Sequence, residues 1–469
     1  MESAMVRSSS NSMHGKRGRL MVPAILAVSS LTLAACASSG GSSGVSSGGS
    51  ASAGDITWWG FAPTVKASAV EYIKAFNGKY PNIHVTFRQI PIDSYDAAMR
   101  PALSSSAGPD VYEIAPGGGI ASIQSFGGFA TNMEPVIKKA LGPDWKSKVS
   151  PTGISGLTTS SGELAGLSIG STFAGPVWIN QDIFSKYGLK PPTTLPEWEN
   201  VCATLKAHKV NCLAHGAGQV AFNQDVLQAI SDSVKPGVWT AASKGEAKWT
   251  DPAIVEALQI WQKMFQTGIM EPGALGLQQY PDANNDFLSG KAAMVMMGTW
   301  YMNLTTASVM QEAISAAGVA GAKPFSAVAV EFPDVAGKGN PAALFGDVDW
   351  GLAVNKKSKN VQASQTFASW LTTTTDGQQV VANTLNEIPA LKGVQPKWGG
   401  INFVDKTIQQ PMLQNLITKT GDSSEPRLSL VSAKLQQAIG DASQTAASGK
   451  STPATPAEAA ATLQSVMGP

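Results

Sequence analysis

Gly166-Leu167-Ser168-Ile169-Gly170 satisfies G-x-S-x-G, the pattern of a serine nucleophile raised on a strand-to-helix elbow. That chemistry needs a sharp turn at the serine and then a helix. Here Ser171 to Asn180 reads as extended, and no acid–histidine pair follows in the required order. Asp347 and Asp349 offer two carboxylates at i and i+2, which share one face of a strand. Acids that cleave a glycosidic bond flank it and normally come from separate elements, so hydrogen bonding to a bound hydroxyl is their simpler use. Ser448-Gly449-Lys450-Ser451-Thr452 has the tail of a phosphate loop. Gln444 stands where the first glycine belongs, no strand precedes it, and the stretch reads as a polar linker. His208 and His215 lie near Cys202 and Cys212 without a metal-ligand spacing, and no C-x-x-C occurs. No residue stands out as catalytic, and none calls for a metal or a cofactor.

The elements around these residues begin with an export signal. Lys16, Arg17 and Arg19 precede an apolar run from Leu20 to Ala35, broken by Pro23, Ser29, Ser30 and Thr32. A membrane-spanning helix needs ~20 mostly apolar residues, whereas a basic stretch, a short apolar core and small residues describe a secretory signal. Leu33-Ala34-Ala35-Cys36 resembles a lipobox, which implies cleavage before Cys36 and lipid attachment there. Ala37 to Gly54 holds only Ala, Ser, Gly and one Val. Such a segment has almost nothing to bury and is expected to be a flexible tether over residues 36–54.

Residues 1–35 carry four basic groups and one acidic group. The remainder therefore has 30 basic against 32 acidic side chains, a balance of −2. There is no basic field for nucleic acid. The roughly 415 residues after the tether exceed one ordinary core, so two lobes are expected. Export also bears on the cysteines left after Cys36. Cys202 lies in a helical pattern and Cys212 at a strand entry. In an oxidising compartment they either form a disulfide or stay as buried thiols.

Along the body, strands alternate with helices. Asp55–Trp59 reads as a strand, and Ile83–Arg88 as a half-buried one with His84 on its polar face. Between them, Ala69, Tyr72, Ile73, Phe76 and Tyr80 mark one face of a helix ended by Pro81. Pro109–Ile114 is a further strand. Thr194-Leu195-Pro196-Glu197 reads as a capping box, and Asp251-Pro252 opens a helix with the stripe Ile254, Ala257, Leu258, Trp261 and Phe265. Thr455-Pro456-Ala457-Glu458 caps a last helix, and Met294–Met297 reads as a buried strand. This order predicts an α/β layer structure with a largely parallel sheet.

Five blocks in sequence then resemble one family. Gly162-Glu163-Leu164-Ala165-Gly166-Leu167 with Trp178-Ile179-Asn180-Gln181-Asp182-Ile183-Phe184 is similar to G-K-x-Y-G-[LI]-P … Y-N-K-D-[LF]-[LF]. Gly188 to Trp198 is similar to G-L-x-x-P-P-x-T-W-x-E-F. Phe287-Leu288-Ser289-Gly290-Lys291-Ala292-Ala293-Met294, closing in Gly298-Thr299-Trp300, matches F-x-x-G-K-A-A-M … G-x-W. Trp350 to Asn360 resembles the return strand and turn, and Glu387-Ile388-Pro389-Ala390 resembles x-[LI]-P-A. Together these blocks resemble the bacterial extracellular solute-binding proteins that include the maltose-binding protein, over residues 55–469. Trp178, Gln181 and Ser168 depart from the pattern. Val348-Asp349 puts a carboxylate where the family often has two glycines.

The resemblance implies a two-lobed, type II periplasmic-binding-protein-like α/β fold with a ligand cleft between the lobes. Three hinge crossings are expected near residues 172–176, 330–334 and 372–377. One lobe would comprise 55–173 plus 333–374, and the other 175–331 plus 376–469. The implied role is a monomeric, non-enzymatic receptor, anchored at Cys36 outside the cytoplasmic membrane, that hands a sugar or oligosaccharide to the membrane permease subunits of an ABC importer. A surface glycosidase, a sensor's partner, and a polyol or sugar-phosphate cargo are the alternatives.

Sugars present apolar C–H faces and rims of hydroxyls, so their sites use flat aromatic rings and planar polar side chains. Twelve tryptophans supply candidates. Trp58 and Trp59 point to opposite faces of their strand, and the resemblance implies Trp59 with Phe61 at the cleft, core packing being the other reading. It implies the same for Trp300, and for Trp350 with Asp347 and Asp349. Asp110, Phe173 at the first crossing (beside Ser171 and Thr172), and Asn386 (beside Glu387) complete the set, with Asp110 open to a structural role. Trp198, Trp249 and Trp261 lie in helical patterns and are expected in the core.

Overall fold

The computed structural model describes residues 50–61, 65–423, 425–448, 452 and 455–468. The signal segment, Cys36 and the tether up to residue 49 lie outside them, as do residues 449–451. The end of the expected tether is tied to the body: Thr366 donates to the Ala51 carbonyl (2.8 Å), and Gly54 already pairs in the first strand. The strands are β1 (Gly54–Gly60), β2 (Ile83–Gln89), β3 (Val111–Ile114), β4 (Leu167–Ser168), β5 (Gly170–Ala174) and β6 (Val177–Asn180). They continue as β7 (Asn211–Ala214), β8 (Ala292–Met296), β9 (Ala327–Val330), β10 (Phe345–Val348), β11 (Gly351–Val354) and β12 (Ile388–Pro389).

Three sheets organise them. The first runs β2-β1-β3-β11-β4, the second β7-β8-β6-β9, and a small third β10-β5-β12. The expectation of a largely parallel arrangement is corrected here. β1 is parallel to β2 and β3, and β7 to β8, but β11 returns antiparallel to β3, and β6 is antiparallel to both its neighbours. β11 re-enters the first sheet only after the chain has passed through the second lobe, and β6 is the strand by which the chain enters the second sheet, so neither follows a right-handed crossover from its neighbour.

Hydrophobic clustering divides the body. One core gathers Trp58, Tyr72, Phe76, Tyr112, Trp350, Leu352 and Phe367 around the first sheet. Two others cover the faces of the second sheet: Trp198, Trp261, Met294 and Ile439 on one, Trp178, Phe287, Tyr301 and Leu413 on the other. β6 and β8 are buried along their whole length because helices cover both faces. β2, at an edge, keeps its alternation, with Ile83 buried and His84 exposed beside Asp55.

Local signals behave as their chemistry requires. The helix Val65–Lys79 buries Ala69, Tyr72 and Phe76, and Phe76 meets Phe367 at 5.0 Å between ring centroids. Thr194 accepts from the Glu197 amide, but Glu197 reaches back to the amide and hydroxyl of Thr193, one residue earlier than a capping box requires. Asp251 caps Pro252–Gln266 by accepting from Ala253, and Trp261 is buried, donating to the Ser443 carbonyl. Cys202 and Cys212 are bonded, joining the helix Leu195–Ala207 to β7.

The third sheet is where the chain changes lobes. Core membership passes from one cluster to the other between Ile169 and Ala174 (β5) and between Phe345 and Val348 (β10); beyond Val381 it alternates around β12, with Leu385 and Ile388 packed in the second lobe, Leu391 in the first and Trp398 in the second again. The first exchange falls on β5. Phe332 and Val335 pack in the second lobe and Val381 in the first. The resemblance placed these crossings by motif order. Their position depends on which core each side chain reaches.

Candidate functional site

A cavity of about 110 Å³ lies between the two lobes. Phe61, Ile120 and Asp349 line it from the first lobe, Phe222, Tyr280, Trp300 and Arg427 from the second, and Asn386 from the turn before β12. Small-molecule sites usually measure ~300–1,000 Å³, so the lobes stand close together around a cavity below that range. The wall from the first lobe is built where strands end, outside the carboxyl edge of the sheet, as is usual for open α/β sheets. Phe61 follows β1, Ala115 to Ile120 follow β3, and Asp349 bridges β10 and β11.

On this wall carboxyls accumulate without cations. Glu113 is fully buried; one oxygen accepts from the Phe61 amide (2.9 Å), and the other has no partner. Gly60 makes this approach possible, because a Cβ there would lie 2.1 Å from the Glu113 carboxylate. Burial pushes Glu113 up to about 8. Glu387, also buried, accepts from Trp350 Nε1 (3.1 Å) and Asn386 Nδ2 (2.9 Å) on one oxygen. Burial, and then the charge of Asp349, hold it well above the ordinary carboxylate range. Burial thus favours the neutral form of Glu113 and Glu387, in which a carboxyl can donate as well as accept.

The facing wall is aromatic and charge-balanced. Arg427 makes a bidentate pair with Asp225, Nε to Oδ1 and Nη2 to Oδ2, both at 2.9 Å. Its guanidinium lies 4.4 Å from the Trp300 ring centroid. A side chain at Gly298 would strike that ring at 2.1 Å, which explains why glycine precedes the tryptophan by two positions. Phe222 and Tyr280 meet edge-on at 5.9 Å.

Of the sequence-predicted residues, Phe61, Trp300, Asp349 and Asn386 come together at this cavity. The others lie outside its lining. Trp59 packs under Arg88 of β2 at 4.3 Å, outside the lining. Trp350 is buried against Trp58 (centroids 6.1 Å apart) and orients Glu387. Both Asp349 and Trp350 lie in the link between β10 and β11, where Trp350 turns into the core and Asp349 lines the cleft. Asp110 accepts from the Thr57 amide and hydroxyl and from Ser358, bracing β1 against the turn after β11. Asp347 is buried on β10, and burial raises its pKa although the Ser429 and Leu428 amides bond it. Phe173 sits on β5, its amide donating to Thr299. In the rejected serine motif, Ser168 and Gly170 lie in β4 and β5, and no helix follows.

Phe222, Tyr280, Arg427 and Gln436 were missed. One signal was available for Arg427: only three arginines follow Arg19, and this one stands alone in Pro426–Val431.

The model of the bacterial extracellular solute-binding protein family matches residues 62–378. The chain belongs to that family. Solved structures share its fold at low identity. One, from work on xylan utilisation by the thermophilic bacterium Caldanaerobius polysaccharolyticus, is 21% identical with a TM-score of 0.69, covering 88% of this chain and 100% of that one. A chitin oligosaccharide binding protein is 19% identical, with a TM-score of 0.66 and coverage of 89% and 100%. The GacH receptor of Streptomyces glaucescens GLA.O is 17% identical, with a TM-score of 0.64 and coverage of 88% and 97%. No curated protein matches the chain. Among the described residues, no helix is long and apolar enough to cross a membrane.

Proposed function

We propose that this solute-binding protein captures a sugar or oligosaccharide between its lobes and delivers it to the permease of an ABC importer. In this reading the chain is held outside the cytoplasmic membrane by lipid on Cys36 and does no chemistry on its cargo. The observation that carries the proposal is the composition of the inter-lobe cavity. Phe61, Phe222, Tyr280 and Trp300 supply rings from both sides, and Asp349 and Asn386 supply planar hydrogen-bonding groups. Several structural relatives carry sugar names: chitin oligosaccharide, acarbose, maltose. A glycosidase needs two acids flanking the bond. Here the unpaired carboxyls stand on one wall, and the opposing Asp225 is engaged by Arg427.

A thermal-shift screen of the full-length protein against mono- and oligosaccharides, polyols and sugar phosphates tests this. A ligand of the folded state adds ~2.7 kcal/mol at one hundred times its dissociation constant. One carbohydrate is expected to raise the midpoint saturably without being consumed. No response to any sugar, with folding intact, removes the carbohydrate reading, and consumption of the sugar removes the non-enzymatic one.

A further inference from the structure

A second, larger cavity of about 520 Å³ lies behind the hinge on the second lobe, apart from the cleft. Its apolar lining includes Phe332, Leu344, Met412 and Leu416. This volume is within the ordinary range for a small-molecule site. Asp232 lines it at 1% exposure. One of its oxygens accepts from the Gly237 amide at 3.1 Å, while the other is buried with no hydrogen-bond partner. Glu425, half-buried, lines the same cavity and accepts from Thr240 at 2.6 Å.

The electrostatics here are one-sided. Asp232 occupies the last turn of the helix Asn223–Val234, where exposed carbonyls add partial negative charge. Burial, then the Glu425 charge, push the Asp232 carboxyl up to about 8. The remaining ionisable groups on the walls are Glu331, Asp422 and Lys419, and Lys419 is paired with Glu331. The nearby Lys235 is turned to Asp251 at 3.2 Å. A carboxyl buried in a roomy apolar chamber, at a helix carboxyl end, with an orphaned oxygen, is completed by a positive charge carrying its own hydrogen-bond donors.

We propose that this chamber is a second ligand site, for a small organic ammonium ion whose cationic head meets Asp232 and Glu425 and whose apolar body fills the space before Phe332 and Met412. The site does not depend on the cargo of the cleft. It does share a segment with it: Glu425 lines the chamber, and Arg427, two residues on, lines the cleft.

Calorimetric titration of the full-length protein at pH 8 with cyclohexylammonium, against cyclohexanol as the neutral counterpart, tests the proposal. The ammonium is expected to bind saturably one to one and the alcohol not at all. Asp232→Asn keeps the shape and removes the charge; a lost charged hydrogen bond weakens binding by about tenfold or more. Met412→Trp, which fills the chamber, should abolish binding and serves where the first variant does not fold. No saturable ammonium binding, equal binding of the alcohol, or unchanged binding in both variants overturns the proposal. So does a loss that follows Asp349→Asn instead, which would put the ammonium in the cleft.

Discussion

The two walls of the inter-lobe cavity solve the same problem by opposite means. The second lobe presents a finished surface: Arg427 is held by Asp225 and laid on Trp300, so charge, donor geometry and ring position are all satisfied before a ligand arrives. The first lobe presents Asp349 at the surface, backed by Glu113 and Glu387, each with an oxygen that has no partner. One wall is a platform and the other a set of acceptors and donors in waiting. The difference indicates where selectivity resides. Aromatic rings tolerate many sugars, whereas Asp349, the carboxylate that lines the cavity, favours a ligand that can donate to it.

The sharpest way to break this contrast is Arg427→Ala. It strands Asp225 in a buried site and uncovers Trp300, so a loss of ~3–5 kcal/mol is expected, read from urea unfolding. A small change would mean that the platform is not built on this pair. Asp349→Asn acts on the other wall and should separate binding from stability. Affinity for the carbohydrate found by screening falls about tenfold, the worth of one charged hydrogen bond. The ligand-free midpoint does not fall, because a charge beside Glu387 and Glu113 has gone. A drop in the midpoint with affinity intact would make Asp349 a frame residue.

The third effect is a pH slope. Glu113 rises from 4.5 to about 8 on folding. The folded state therefore holds a proton that the unfolded state releases between these values. Its contribution is complete below pH 4.5 and is lost as pH rises through 8, with a slope of at most ~1.4 kcal/mol per pH unit. Glu113→Gln should flatten the fall of the thermal midpoint over that window. A residual slope is expected, because Asp232 is raised to about 8 as well. An unchanged slope in the variant would show that Glu113 ionises normally.

Much of the frame was legible in the chain. Stripes such as Ala69, Tyr72 and Phe76, the alternation of Ile83–Arg88, and the Asp251-Pro252 cap depend on neighbours within one or two turns, and the structure keeps them. Motif order indicated the family and, with it, Trp300 and Asp349. Harder to read were positions whose surroundings come from distant segments. Trp350 resembled a cleft residue until Trp58, almost three hundred residues earlier, covered it.

The sequence by itself determined the family, the two-lobed α/β class and the local elements, because those follow from periodicity, capping and motif order along the chain. Tertiary structure alone decided which aromatic rings face the cleft, that Arg427 joins them, and that burial pushes Glu113 and Glu387 toward their neutral forms. Those outcomes depend on burial and on pairs such as Arg427 with Asp225, 202 residues apart. Spacing along a chain does not encode desolvation; only the folded packing sets it.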